Sequence, residues 1–358
     1  MVNENISLKQ YNTFGIDVTA RYFAEFTTID ELSELLEFNK QQIEQSEIPK
    51  HFGTPDNKFP VLILGGGSNI LFTKDFNGLV LKNNIAGIKI IKEDEHHVYV
   101  KVGAGENWHQ FVLHCIKNNW AGVENLSLIP GNVGASPMQN IGAYGVELKE
   151  VCYCLDAFHI KEKKIVEFSV NDCAFGYRDS VFKKKYKGQF IITNVVYRLN
   201  KVPAFNTSYG AIGQELEKMG VKQLSIKGIS DAVINIRSSK LPDPKIIGNA
   251  GSFFKNPHVS AMAFKDLKER FPKIVGYKQD NGDYKLAAGW LIEDCGPENG
   301  TSWKGFRKGD AGCHAWQSLV LVNYNNANGR EVYDLSEEIL QSVTEKFGIV
   351  LEREVNII

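Results

Sequence analysis

The apolar run FPVLIL at 59–64 has the length of a β-strand and stops on three glycines, Gly65, Gly66 and Gly67. If a helix opened at once and a third fingerprint glycine stood at position 70, this would be the first turn of a Rossmann dinucleotide unit. Position 70 is Ile70, and the following SNILFTKDFNGLVLKN reads as further strands and turns. The Rossmann reading is therefore weak, and a phosphate bound here would have to rest on loop backbone. A second glycine-rich stretch, PGNVGASPMQNIGAYG at 130–145, lies far along the chain, and neither stretch carries the GxxxxGK[ST] of a P-loop. Taken singly, each is explained as well by a tight turn. Together they offer backbone N–H groups from two parts of the chain to one diphosphate, which is what a dinucleotide cofactor requires.

Composition narrows the partners. The chain has 358 residues, with 41 Lys plus Arg against 42 Asp plus Glu and a net charge of -1, so no basic footprint for nucleic acid is present. The opening MVNENISLKQYNTF has no basic segment leading into an apolar one, and no apolar run approaches bilayer length. Neither export nor a membrane partner is expected. Six cysteines without a CxxC read as reduced thiols in a cytoplasmic protein. Eight histidines without HxH or HExxH give no reason to expect a metal.

HHVYVKVGAG at 96–105 alternates like a strand, and Trp108, Phe111, Val112, Cys115 and Ile116 then fall at the spacing of a core-facing helix. VCYCLDAFHI, KIVEFSV and QFIITNVVYRL are three further strand candidates. SDAVINIRSSK at 230–240 predicts a helix capped by Ser230 or Asp231 and ended by LPDP, with Arg237 and Lys240 on one face. A last helix is expected over 334–348, before a strand-like VLEREVNII in which Glu352 and Glu354 share a side. YRDSVF at 177–182 reads as a turn with an ion pair, and the glutamates as solvated carboxylates. In LPDPKIIGNAGSFFKNP at 241–257, prolines that fix the backbone and glycines that let it approach a ligand mark a binding surface, although Ser252 alone is an ordinary turn or strand serine.

LGGGSNILF, IPGNVGASPMQNIGAYGVEL, CAFGYRDSVFK, IRSSKLPDPKIIGNAGSFFKNP, AAGWLIEDCG and LEREV occur in that order. Through them the chain resembles the UDP-N-acetylenolpyruvoylglucosamine reductase (MurB) family of flavoenzymes, from about residue 10 to the end. The resemblance implies an α+β chain with a vanillyl-alcohol oxidase/PCMH-type FAD-binding fold of two subdomains, plus a C-terminal α+β substrate-binding domain. The expected division is 1–82, completed by 344–358; 83–238, with a substrate loop near 206–210; and 239–343.

The implied reaction is reduction of UDP-N-acetylglucosamine enolpyruvate to UDP-N-acetylmuramate in peptidoglycan synthesis, with non-covalent FAD as cofactor and NADPH as co-substrate. By match to the family motifs, Arg178, Ser252 and Glu354 would be catalytic: Arg178 the cationic clamp, Glu354 the partner of Arg178 in stabilising the enolic intermediate, Ser252 the proton donor. FAD would be held by Gly65, Gly66, Gly67, Ser68, Asn69, Pro130, Gly131, Gly134, Ala135, Ser136, Gln139, Asn140, Gly142 and Arg178. Tyr209, Arg237, Lys240, Asn256 and Gln317 would bind the UDP-sugar, with Tyr209 belonging to the form of the family that has an extra tyrosine-bearing loop. A monomer is expected. The chain departs from the family pattern at 44–60, which reads as longer than usual, and at 297–316, which reads as an expanded turn.

Overall fold

The computed structural model describes residues 1–45 and 59–358, so most of the long 44–60 stretch lies outside the described residues. Two compact units result, one of Met1–Ile6, Thr19–Gly66 and Phe76–Ser239, the other of Ser7–Val18, Gly67–Asp75 and Lys240–Ile358. Both mix helices with sheet.

The first unit contains two sheets. In a 4-stranded sheet the order is Asn3–Ser7, Thr19–Phe26, Phe76–Asn83, Val61–Leu64, and the last three strands run parallel. FPVLIL is thus a strand, and its parallel neighbour is the FNGLVLKN strand that follows the glycine triplet. In a 5-stranded antiparallel sheet the order is Lys164–Ser169, Cys152–His159, Phe190–Asn200, His97–Gly103, Ile88–Glu93. One face of it packs on the helix Trp108–Lys117, where Trp108, Phe111, Val112 and Cys115 are buried as their spacing predicts. Asn107 caps this helix, its side chain accepting the Gln110 N–H. Phe111 and Trp108 meet Tyr197 of the sheet at 4.7 and 5.8 Å between ring centroids. The fully buried Tyr197 hydroxyl then lies 3.0 Å from Ser136 Oγ, so the aromatic core reaches into the second glycine-rich stretch.

The helix expected over 230–240 runs from Ile226 to Lys240. Neither Ser230 nor Asp231 caps it: Ser230 is buried inside it with Oγ 2.8 Å from Ser127 Oγ, and Ser225 Oγ instead accepts the Gly228 N–H. Gly228 sits in the first turn of this helix.

In the second unit a 4-stranded antiparallel sheet orders Gly248–Ser252, Val320–Asn323, Ala311–Cys313, Arg307–Lys308, beside a 3-stranded sheet and the helix Gly329–Phe347. That helix starts before the expected Asp334, because Asn328 and Glu331 close a reciprocal capping box. The C-terminal Asn356–Ile357 pairs in parallel with Ile70–Leu71.

Candidate active site

Glycine is required in the triplet by close backbone approach. A Cβ on Gly66 would stand 2.8 Å from Asn132 Oδ1 and 2.9 Å from Gly131 Cα, and one on Gly65 3.5 Å from Asn132 Cβ. The two glycine-rich stretches therefore pack directly on one another in the first unit, with no side chain of Gly65 or Gly66 between them. The second stretch is held in turn by the 104–108 segment: Val133 and Gly134 donate to the Glu106 and Ala104 carbonyls, Gly131 accepts from Trp108, and Asn132 Nδ2 reaches the Gly105 carbonyl. Gly131 takes φ +111, and Gly134 has no room for a Cβ, which would meet that of Ala104 at 2.5 Å. A backbone surface stripped of side chains, with Gly66, Pro130 and Ala135 exposed and Gly65 and Gly131 half-buried, fits a diphosphate bound by amide N–H groups. In the second unit Gly67 closes the triplet at φ +61, where a Cβ would fall 2.0 Å from the Tyr11 carbonyl oxygen.

Further along the second stretch, Asn140 is buried at φ +44, and its Nδ2 donates to Glu147 Oε2 and to the Gly176 carbonyl. That docks the YRDS turn. Gly176 and Asp179 pair across it, Ser180 Oγ donates to the Met138 carbonyl, and Arg178 at its tip adopts φ +53 and donates from Nη2 to the Gly142 carbonyl at 2.6 Å. A non-glycine residue in the left-handed region is held there at a cost, which is common where a side chain must be aimed. In this turn Asp179 forms an ion pair with Lys184.

Arg237 donates from Nε to the Leu128 carbonyl at 3.2 Å and bonds the Tyr144 hydroxyl. Burial lowers its pKa, and the Arg178 charge acts in the same direction. Tyr144, at φ +50, meets Tyr209 edge-on at 5.2 Å between centroids. Arg178, Arg237, Tyr209 and the 139–142 segment thus belong to one neighbourhood of the first unit. Tyr144 is a member that sequence reading misses, because its partners are distant in the chain. Only its place in IGAYG could have pointed to it.

The second unit gathers another group. Between Asn249 and Ser252 the strand register slips, Gly251 takes φ +70 with open space where a Cβ would stand, and Ser252 then pairs with Val320. Such a bulge re-aims the side chain that follows it. Gly248 has a different reason: its missing Cβ makes room for the Phe14 carbonyl oxygen, which would lie at 2.2 Å. The Glu354 N–H donates to the Phe253 carbonyl and the Lys255 N–H to the Glu352 carbonyl, so the C-terminal segment lies antiparallel beside 253–255, with Glu354 opposite Phe253, the residue after Ser252. Asn69 fastens this segment, its Nδ2 donating to the Glu354 carbonyl and its own carbonyl accepting from Asn356. Asn256 Oδ1 accepts the Ala288 N–H at 2.9 Å, and Gln317 Oε1 lies 3.1 Å from the Cβ position of Gly289. Asn256 and Gln317 thereby flank the AAGW segment, while Lys240 stands exposed at the last position of its helix. Ser68 is half-buried beside Asn69.

A cavity of about 1010 Å³ lies in the second unit between residues 293–303 and the Gly329–Phe347 helix, and contains none of these residues. Among its lining groups Lys346 pairs with Asp294 and Trp303 donates to Ser342, which marks it as the fold of the expanded turn. Among the described residues no group of three His, Cys, Asp or Glu is placed to hold a metal, and no helix is long and apolar enough to cross a membrane.

Residues 53–160 match the model of an FAD binding domain, and residues 243–358 that of the UDP-N-acetylenolpyruvoylglucosamine reductase C-terminal domain. The UDP-N-acetylenolpyruvoylglucosamine reductase of Amoebophilus asiaticus is 49% identical over 357 residues, covering 100% of this chain and 99% of its own. The chain belongs to the UDP-N-acetylenolpyruvoylglucosamine reductase family. The reductase of Flavobacterium johnsoniae is 47% identical over 358 residues, covering 100% of this chain and 99% of its own. The reductase (MurB) of Thermus caldophilus shares the fold, with a TM-score of 0.63 at 22% identity over 100% of this chain and 99% of that one. Both glycine-rich stretches fall inside the FAD-domain match, and Ser252, Asn256, Gln317 and Glu354 inside the reductase-domain match. Arg178, Tyr209, Arg237 and Lys240 lie outside both and inside the full-length likeness to the reductases.

Proposed function

We propose that the chain reduces UDP-N-acetylglucosamine enolpyruvate to UDP-N-acetylmuramate for peptidoglycan synthesis, with NADPH as reductant and non-covalent FAD as carrier. Full-length similarity to reductases of that name carries the reading, and the pairing of the segment that follows Ser252 with the segment that carries Glu354 supports it. Bound FAD would supply hydride transfer, from NADPH to the terminal vinyl carbon of the substrate.

The chain's own residues deal with what that addition leaves behind. Negative charge spreads from the neighbouring carbon onto its carboxylate, and the Arg178 guanidinium, fixed by its bond to Gly142, stabilises it where it develops. Ser252 Oγ gives its proton to that carbon, completing addition of a hydride and a proton across the double bond. A hydroxyl is a weak acid in water, but suffices for a strongly basic carbanion at hydrogen-bond distance. Glu354 shares a proton with the enolic carboxylate and is held in place by the Phe253 carbonyl and Asn69. Lys240 binds the UDP diphosphate as a point charge, and Asn256, with Oδ1 already used by Ala288, presents its N–H hydrogens. Gln317, Arg237 and Tyr209 complete the hold on the UDP-sugar. The same reading has the enzyme act as a cytoplasmic monomer, with its six buried thiols reduced.

Anaerobic mixing tests this directly. NADPH should bleach the flavin absorbance, and adding UDP-N-acetylglucosamine enolpyruvate should restore it with formation of one UDP-N-acetylmuramate per flavin. Bleaching without recovery on that substrate would rule out the proposed acceptor.

A further inference from the structure

Asn125 is 2% exposed and belongs to no group considered so far. Its Nδ2 donates two hydrogen bonds of 2.9 Å, to the Tyr144 carbonyl and to the Asn206 carbonyl, and so joins two segments distant in sequence. Asn206 makes the reciprocal tie: Nδ2 donates to the Gly145 carbonyl at 2.9 Å, while Oδ1 accepts from the Ser208 N–H and hydroxyl. Gly145, at φ +83, comes within 3.2 Å of Asn206 Nδ2 and Ser208 Oγ at its Cβ position, so the contact is close. Residues 201–209 form no helix or strand between Phe190–Asn200 and Gly210–Lys218. These side-chain bonds therefore take the place of a backbone ladder in fixing the loop.

We propose that Asn125 is a positioning residue for substrate binding: its buried carboxamide latches the 206–209 loop to the 144–145 turn and thereby sets Tyr209 against Tyr144. The proposal rests on the reading of Tyr209 as a group that contacts the UDP moiety. The chemistry is directional, because both of Asn125's partners are carbonyl oxygens and only a donor satisfies them. Asn125→Asp keeps the shape but turns two attractions into two repulsions, at a buried position where unmet polar groups cost most. Asn206→Ala leaves Asn125's bond to the Tyr144 carbonyl in place, so release of the loop in that variant should spare Tyr144's bond to Arg237.

Two measurements separate the latch from the role of Tyr209. Limited proteolysis of the flavin-loaded enzyme at Lys201, Phe205 and Tyr209 should be accelerated roughly tenfold or more in Asn125→Asp, and likewise in Asn206→Ala, whose half-buried side chain leaves the core untouched if the first variant folds poorly. Unchanged cleavage in Asn206→Ala, or in a folded Asn125→Asp, overturns the latch. KM for the UDP-sugar should rise about tenfold in either variant while flavin reduction by NADPH stays within twofold, and combining either with Tyr209→Ala should add little beyond Tyr209→Ala alone. Faster cleavage with an unchanged KM would leave the latch standing and overturn the reading of Tyr209. Fully multiplicative effects in the double variant would overturn the claim that Asn125 acts through it.

Discussion

Arg178 and Ser252 are aimed by local backbone features: the first stands at φ +53 at a turn tip, the second follows a bulge and a glycine at φ +70. Their chemistry separates by half-reaction. Ser252→Ala should leave flavin reduction by NADPH intact and slow reoxidation by the enolpyruvyl substrate by ~10² or more, the usual contribution of a general acid. Arg178→Ala should do the same by roughly 10². Stopped-flow absorbance resolves the two phases, and equal losses in both would remove either residue from the protonation step. A subtler residue is His109, whose Nδ1 accepts the Leu128 N–H at 3.0 Å, while the Leu128 carbonyl accepts from Arg237. Burial, with the Arg237 charge second, lowers the His109 pKa from the ordinary 6.5. The neutral ring is the one that can accept this bond. A base whose folded pKa lies below its unfolded one contributes fully above about pH 6.5 and loses that contribution as pH falls through this value to the folded pKa. Thermal stability should therefore decline below about pH 6.5, KM for the UDP-sugar should rise over the same range, and His109→Gln, which keeps an acceptor, should flatten both limbs.

Elements with a strong period were legible, and elements set by a cap were not. The Trp108–Lys117 helix and the antiparallel strands follow their apolar spacing because burial of Trp108, Phe111 and Val112 decides the matter. The starts of the helices Ile226–Lys240 and Gly329–Phe347 were missed, although Ser225 and the Asn328/Glu331 pair carry the necessary side-chain chemistry. Family motifs pointed to Arg178, Ser252 and Glu354 as the proposed catalytic groups. They could not locate Tyr144, Asn125 or His109, whose significance lies in contacts that form only when distant segments meet. Gly248 was read as serving a ligand, and its space is taken by the Phe14 carbonyl. Caps and cores also differ in what they contribute. Asn328→Ala should cost about 1 kcal/mol by removing the capping box, whereas Phe111→Ala should cost about 3–5 kcal/mol by opening a cavity beneath Tyr197. Denaturant midpoints would rank them. Phe111→Ala should also loosen Ser136, which Tyr197 holds at 3.0 Å, so its flavin content should fall while that of Asn328→Ala stays at the parent level.

At the scale of the whole molecule, the chain needs a dinucleotide without having a Rossmann helix to receive it, and the packed loops at Gly65–Gly66 and Gly131–Asn132 show how backbone alone can offer the surface. Glycine backbone provides hydrogen bonds but no nucleophile, and residues 65–72 contain no histidine to which a flavin could be tethered. FAD should therefore be held by non-covalent contacts alone. Acid precipitation should move the yellow colour quantitatively into the supernatant. The stripped protein, renatured by dilution, should regain absorbance on titration with FAD. Because a ligand that binds only the folded state stabilises it by RT ln(1 + [L]/Kd), free FAD at about 100 times its Kd should add about 2.7 kcal/mol, and the melting temperature should climb with FAD concentration. A substitution that fills the cradle tests its place: Gly66→Ala puts a methyl group where Asn132 and Gly131 already stand, so it should weaken FAD binding by tenfold or more, roughly 1.4 kcal/mol. Its melting temperature should cease to respond to FAD concentrations that saturate the parent. Colour retained in the acid pellet would mean a covalent flavin and an oxidase-like chemistry, and an FAD-dependent melting curve unchanged in Gly66→Ala would move the diphosphate away from the glycine triplet.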